Sequence, residues 1–264
     1  MHKLNKLKKI IREMGSVLIA FSGGADSSLL LKISKDVLKD NILAVTAISA
    51  TYPVQELKSA REFAAGLGLR HKIIRTTELN NPKFLSNPIN RCYYCKKELF
   101  ARLKKIAARD KINFVADASN VSDIADFRPG DKAKKESGVR SPFIEAGFTK
   151  QDVRSISRKL ALTTWNKPSL ACLASRIPYG SRISPDILSR INKAELFLNS
   201  LGFKQVRLRH YGNLCRIEVP QSGIKRLLSL NKDVVDKFKK LGYNYVTVDL
   251  EGFRSGSMNE VFNR

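Results

Sequence analysis

Two cysteines stand three positions apart in the stretch RCYYCK, Arg91 to Lys96, of a chain that has four cysteines in 264 residues. A Cys-x-x-Cys pair at a helix start brings two thiolates together, and the positive helix end with Arg91, Lys96 and Lys97 favours their ionised forms. In a reducing compartment clustered cysteines ligate metal or handle sulfur more often than they build a disulfide framework. Cys92, Cys95, Cys172 and Cys215 together could form a tetrahedral zinc site. A dithiol redox pair is another option, although no thioredoxin-like context surrounds it. Cys215 is set apart, because Cys215, Ile217 and Val219 fall on one face of a strand pattern, where a thiol packs as a small hydrophobe.

The second chemical stretch is FSGGADSS, residues 21–28, between the apolar run VLIAF and a helical pattern. Gly23 and Gly24 let the backbone approach a ligand closely, and amides at a helix N-terminus stabilise negative charge. Ser22, Ser27 and Ser28 add hydroxyl donors. No lysine follows the glycines, so this is not the GxxxxGK[ST] loop. Asp26 is informative: a carboxylate beside a phosphate site makes sense with a cation such as Mg²⁺ between them. The bland alternative is a glycine turn in which Asp26 and Ser27 merely cap the helix.

These residues need a scaffold, and the hydrophobic pattern supplies one. An N-terminal helix, the strand VLIAF, the helix from ADSSLLLKISKDVL, the strand ILAVTAI, the helix VQELKSAREFAAGLG and the strand HKIIRT alternate, which predicts a doubly wound parallel α/β sheet. The segment RCYYCKKELFARLKKIAARD turns helical in its later part and leads to the strand NFVADAS. Residues 121–140 read as a polar active-site loop, and SPFIEA and TKQDVRSISRKLAL as a further strand and helix. The alternation breaks at 163–182. Beyond it come a helix, the strands KQVRLRH and CRIEVP, a helical stretch near 222–241 and the strand YVTVDLE, a small α/β unit. The expected division is 1–165, a linker 166–182 carrying Cys172, and a substrate-binding or oligomerisation domain 183–264.

Composition sets outer limits. With 43% hydrophobic residues the chain can build a real core. No stretch approaches the roughly 18 apolar residues of a membrane helix, and the first residues read as a basic amphipathic helix, so a cytoplasmic protein is expected. The 48 Lys and Arg against 24 Asp and Glu give +24, which suits anionic partners or simply a lysine-rich surface, and does not choose between a nucleotide and a tRNA.

SGGADSS in its strand–loop–helix setting resembles the loop of the PP-loop ATP pyrophosphatase superfamily, which splits ATP between its α and β phosphates to adenylate a substrate. The resemblance implies ATP as ligand, pyrophosphate cradled by Ser22 to Ser27, and Asp26 on Mg²⁺. Three more segments, RCYYCKKELF (91–100), DFRPGDKAKKESGVRSPFIEAGFTKQDVR (126–154) and NKPSLACLASRIPYG (166–180), are similar to the LarE sulfur transferases of nickel-pincer cofactor synthesis, and RLRHYGNLCRIE and YVTVDLEGFRSGSMN continue the likeness. One form of that family spends a single cysteine per turnover. Here Cys172 lies one position later than that residue would, and Cys92 and Cys95 are extra. The resemblance is therefore to the second form, in which three cysteines, here Cys92, Cys95 and Cys172, hold a [4Fe-4S] cluster. Three thiolates leave one iron of a cubane open, and an open iron can carry hydrosulfide.

In KQVRLRH, Arg207 and Arg209 alternate with Val206 and Leu208, placing two guanidinium forks on one strand face, where they suit a phosphate or a solvated surface. The family likeness favours the substrate phosphate. It also marks Glu195 and Glu218 as acidic positions near the active site, and Ser175 and Arg176 beside Cys172. Asp123, Asp126 and Arg128 of the polar loop are further candidates. The implied reaction is adenylation and then thiolation of pyridinium-3,5-biscarboxylic acid mononucleotide, with a separate sulfide donor and a homo-oligomeric assembly. The alternatives are tRNA thiolation, against which no added RNA-binding module is visible, and an ammonia-dependent amide ligase, which needs no cluster.

Overall fold

The computed structural model describes residues 2–124, 128–168 and 171–262. Two compact units emerge, one from Met1–Phe84 with Ile89–Leu170, the other from Leu85–Pro88 with Ala171–Arg264.

The first unit runs α1 (His2–Met14), β1 (Val17–Ala20), α2 (Ala25–Leu38), β2 (Ile42–Ile48), α3 (Val54–Gly66), β3 (His71–Arg75), α4 (Pro82–Leu85), α5 (Arg91–Arg109), β4 (Phe114–Ala116), α6 (Gly130–Glu136), α7 (Pro142–Ala146) and α8 (Lys150–Lys159). Its sheet has the order β3-β2-β1-β4 and is parallel throughout, with Val17 opposite both Ile42 and Phe114. Alternate residues of β1 feed opposite faces. Val17 and Ile19 join a core with α1, α2, α7 and α8, while Leu18 packs with Phe100 and Leu103 of α5 and Ala133 of α6. Helices therefore cover both faces, as the alternation predicts.

The chain leaves β1 toward β2 but returns from β3 to β4 on β1's other side. Strand order reverses there, and the loops after β1 and β4 diverge to open a crevice at the strands' C-terminal ends, where α/β sheets bind ligands.

One element differs from the sequence reading. SPFIEA is not a strand but the short helix α7, which starts with Pro142 and ends at Gly147 with φ 76°. Proline pre-sets the first helical turn and glycine closes it in the left-handed region. The strand-like contribution is one residue wide, a bridge between Arg140 and Ala116. The expected loop at 121–140 also carries α6.

In the second unit, α9 (Pro185–Ser200) starts at Ser184, whose hydroxyl accepts from the Ile187 amide. Then come β5 (Arg207–Tyr211), β6 (Leu214–Glu218), α10 (Gln221–Ser229), α11 (Asn231–Lys240) and β7 (Tyr245–Val248). The expected single helical stretch is thus two helices broken at Leu230. β5 and β6 form an antiparallel hairpin turned at Gly212, and β7 lies parallel to β6.

Candidate active site

Residues 21–24 link β1 to α2, and each of their carbonyls accepts a hydrogen bond from a side chain. Phe21 O accepts from Thr46 Oγ1 (2.8 Å), Ser22 O from the Tyr52 hydroxyl (2.9 Å), Gly23 O from Lys167 Nζ (3.0 Å) and Gly24 O from Ser27 Oγ (3.2 Å). This glycine–serine loop ahead of the N-terminus of α2 makes an anion-binding concavity. Ser22 Oγ and Ser27 Oγ sit 3.1 Å apart inside it, with Gly24 N and Ser22 N donating to them. Gly23 has φ 71°, and a Cβ there would lie 3.2 Å from Ala60 Cβ of α3. Both facts require glycine. Ser28 is fully buried in the first turn of α2, and its Oγ has no hydrogen-bond partner among the described residues, so it lies beneath the cup rather than at its mouth.

Asp26 stands at the cup's rim. Its carboxylate accepts from Asn120 Nδ2 (3.1 Å) and pairs with Lys150. Asn120 follows β4 and caps a short turn at 121–123, in which the Asp123 carboxylate accepts from the Asn120 amide. Arg128 pairs with Asp123 at 2.6 Å. Burial, helped by the charge of Asp26, raises the Asp123 carboxyl above the usual range. A bound dication would offset both carboxylates. Asp126 lies outside the described residues.

Beside the cup, a cavity of about 450 Å³ opens at the ends of β2 and β3, lined by Ile48, Ala50, Tyr52, Leu57 and Leu79. It is of a size for a nucleoside, and Tyr52 belongs both to its wall and to the cup.

Sequence reasoning missed Thr46, Tyr52, Asn120, Lys150 and Lys167. Lys150 left a signal: it is the first residue of α8, inside the capping box of Thr149 and Asp152. A cation at a helix N-terminus opposes the helix dipole, so it needs another reason to be there, and Asp26 is that reason.

Cys92 and Cys95 occupy the first turn of α5, Cys92 exposed and Cys95 half-buried; Asn90 supplies no side-chain cap, so no side chain at the N-cap competes with a thiolate for the first-turn amides. Gly130, first in α6, comes close enough that a Cβ would meet Lys96 Cγ at 3.0 Å and the Cys92 carbonyl at 3.6 Å. Among the described residues no three His, Cys, Asp or Glu side chains are gathered as a ready metal site. The donors themselves are soft, accessible thiols of the kind iron–sulfur clusters use.

In the second unit Cys172 is exposed and precedes the turn Leu173–Arg176. Arg176, 1% exposed, holds that turn. Its Nε and Nη2 form a two-pronged pair with Glu195 (2.9 and 3.0 Å), while Nη1 donates to the carbonyls of Ala171 (2.6 Å) and Cys172 (3.1 Å) and to Ser175 Oγ (3.0 Å). Glu195 also accepts from the Leu208 amide, tying the turn to β5. Arg209 pairs twice with Glu218, donates to Ser257 and reaches the Ser175 carbonyl (3.1 Å).

Arg207 and Arg209 are therefore buried, which removes the solvated-face reading of β5. Burial, with Arg176 nearby, pushes the Arg207 guanidinium down to about 10. Arg207 lies near the guanidiniums of Arg176 and Arg209 as well as the carboxylates of Glu195 and Glu218, and such a gathering of guanidiniums suits an anion. Cys215 is fully buried, and burial pushes its thiol up to about 12.

The model of the NAD synthase family matches residues 2–113, the stretch holding the cup and the Cys-x-x-Cys pair. The chain is 43% identical, over 99% of its length and 98% of the other, to an uncharacterised protein of Synechocystis. It is 39% identical, over 96% of its length, to the pyridinium-3,5-bisthiocarboxylic acid mononucleotide synthase of Lactiplantibacillus plantarum, 92% of which is covered. The chain belongs to the LarE family. LarE proteins are ATP-dependent sulfur transferases of the PP-loop class and work with ATP and Mg²⁺. An uncharacterised protein of Methanocaldococcus jannaschii, 30% identical over 96% of this chain, extends the likeness to an archaeon. No helix among the described residues is long and apolar enough to cross a membrane.

Proposed function

We propose that this LarE protein thiolates the carboxylates of pyridinium-3,5-biscarboxylic acid mononucleotide in the cytoplasm, the product being that for which its L. plantarum relative is named. Ser22, Gly23, Gly24, Asp26, Ser27 and Ser28 make up the ATP site, with Ser22, Ser27 and the glycines around the phosphates, Ser28 beneath them, and Asp26 with Asp123 toward Mg²⁺. A substrate carboxylate oxygen attacks the α-phosphorus, the bond to the β-phosphate oxygen breaks, and pyrophosphate leaves into the cup. Lys150, held beside Asp26, supplies positive charge to the departing phosphates. Sulfide then attacks the acyl carbon, the carbon–oxygen bond breaks, AMP leaves with the electron pair, and the sulfur loses its proton. No redox change is needed.

Cys92, Cys95 and Cys172 are the proposed ligands of a [4Fe-4S] cluster, which when bound supplies a carrier for sulfide from an external donor. Ser175, Arg176 and Glu195 set the backbone of the Cys172 turn. Arg207, Arg209 and Glu218 form the phosphate site of the substrate. The small unit is the substrate-binding and oligomerisation domain, and the protein assembles with copies of itself.

The observation that carries the reading is the glycine–serine loop opening α2, with Asp26 in its first turn and the charge of Asp123 near it, which suits a polyphosphate and its metal. Anaerobic purification of the wild type and of Cys92→Ala, with iron, acid-labile sulfide and zinc determined, tests the cluster. Iron and sulfide that fall with the substitution are expected; zinc without iron, or an iron signal untouched by it, would overturn the assignment.

A further inference from the structure

The second unit holds a cavity of about 740 Å³, lined by Tyr179, Tyr211, Arg216, Ser257, Met258 and Glu260 among others. Apart from Ser257, which accepts from Arg209, none of these residues has a place in the chemistry described so far. The cavity adjoins the buried arginine cluster through a shared wall residue: Ser257 Oγ accepts from Arg209 Nη2 (2.8 Å) and donates to Glu218 (3.0 Å). Arg216 reaches Glu218 with Nη2 (3.0 Å) and Asp249 with Nε (3.3 Å), while its Nη1 makes no hydrogen bond among the described residues. Its guanidinium lies 5.6 Å from the Tyr211 ring centre. Tyr211 is 41% exposed, yet its hydroxyl is spent on the Met258 sulfur (3.8 Å), and the Tyr179 hydroxyl donates to Asn259 (3.0 Å).

Both phenol hydroxyls are thus turned to the protein, and what the wall offers a ligand is aromatic face, a polarizable thioether and a guanidinium donor, the Glu260 carboxylate being paired with Arg254 (3.0 Å). Such a wall suits a flat ring that carries positive charge, which an aromatic face attracts, and a carboxylate, which an arginine receives. The volume falls within the range of small-molecule sites. We propose that this cavity is the ring subsite for a pyridinium carboxylate ribonucleotide, with the ring against Tyr211 and Tyr179, a ring carboxylate on Arg216, and the phosphate directed to Arg207 and Arg209. It rests on the reading of the second unit as the substrate domain, and it assigns ring specificity to residues outside the arginine cluster.

Calorimetry on the full chain tests it, with nicotinic acid mononucleotide as a pyridinium probe and ribose 5-phosphate as a ringless one. Tyr211→Ala weakens the mononucleotide about tenfold and leaves ribose 5-phosphate unchanged, whereas Tyr211→Phe, which keeps the face, binds as the wild type does. Binding of the mononucleotide to Tyr211→Ala within twofold of the wild type would overturn the ring subsite alone. Failure of both probes to bind the wild type would overturn the substrate-domain reading along with it.

Discussion

Replacing Arg176 by methionine tests how the Cys172 turn is held. The side chain is 1% exposed, and its removal strips Glu195 of a two-pronged partner while releasing the carbonyls of Ala171 and Cys172. Breaking one half of a buried ion pair costs about 3–5 kcal/mol, because the other charge is left without compensation. Glu195 keeps its bond from the Leu208 amide, which places the expected cost near the lower figure. In a unit of roughly 100 residues, about 3 kcal/mol lowers the melting temperature by about 10–20 °C. The double variant Arg176→Met/Glu195→Leu should recover part of this, since an apolar pair carries no stranded charge. Urea unfolding of the wild type, both single variants and the double variant gives the coupling, and thiol titration reports whether Cys172 reacts faster once the turn is released. Single variants that cost under about 1 kcal/mol, or costs that simply add in the double variant, would refute the clamp.

Lys150→Met should reduce the rate of pyrophosphate release by about a hundredfold in a coupled assay, while the protein's binding of Mn²⁺ without nucleotide strengthens because Asp26 has lost its lysine. Gly23→Ala forces a side chain onto φ 71° and against Ala60, so ATP binding measured by calorimetry should weaken with little change in the fold's circular dichroism. The Cys215 thiol is held protonated when folded, at about 12 against an ordinary 9.0, so the folded state keeps a proton that the unfolded chain releases between those values. Stability relative to Cys215→Val should therefore decline as pH rises from 9 toward 12, and native Cys215 should resist alkylation at pH 8; a flat difference across that window counts against it.

Much of the proposed ATP site is legible because its signal is local: strand, glycines, serines and Asp26 lie within a dozen residues. What holds the cup is not local. Thr46, Tyr52 and Lys167 arrive from segments up to 144 positions away, and only folding brings them to successive carbonyls. The alternation in KQVRLRH was readable, but whether Arg207 and Arg209 faced water depended on Glu195 and Glu218, which no pattern in the strand reveals. SPFIEA misled because a six-residue stretch with four apolar residues fits a strand or a helical turn equally, and Pro142 with Gly147 decided it.

The most direct test is product analysis after anaerobic incubation of the iron-loaded protein with Mg-ATP, sulfide and pyridinium-3,5-biscarboxylic acid mononucleotide. Mass spectrometry should find a sulfur in place of a carboxylate oxygen, with AMP and pyrophosphate formed in step with it. ADP and phosphate as the nucleotide products, or an unchanged mononucleotide beside consumed ATP, would contradict the account.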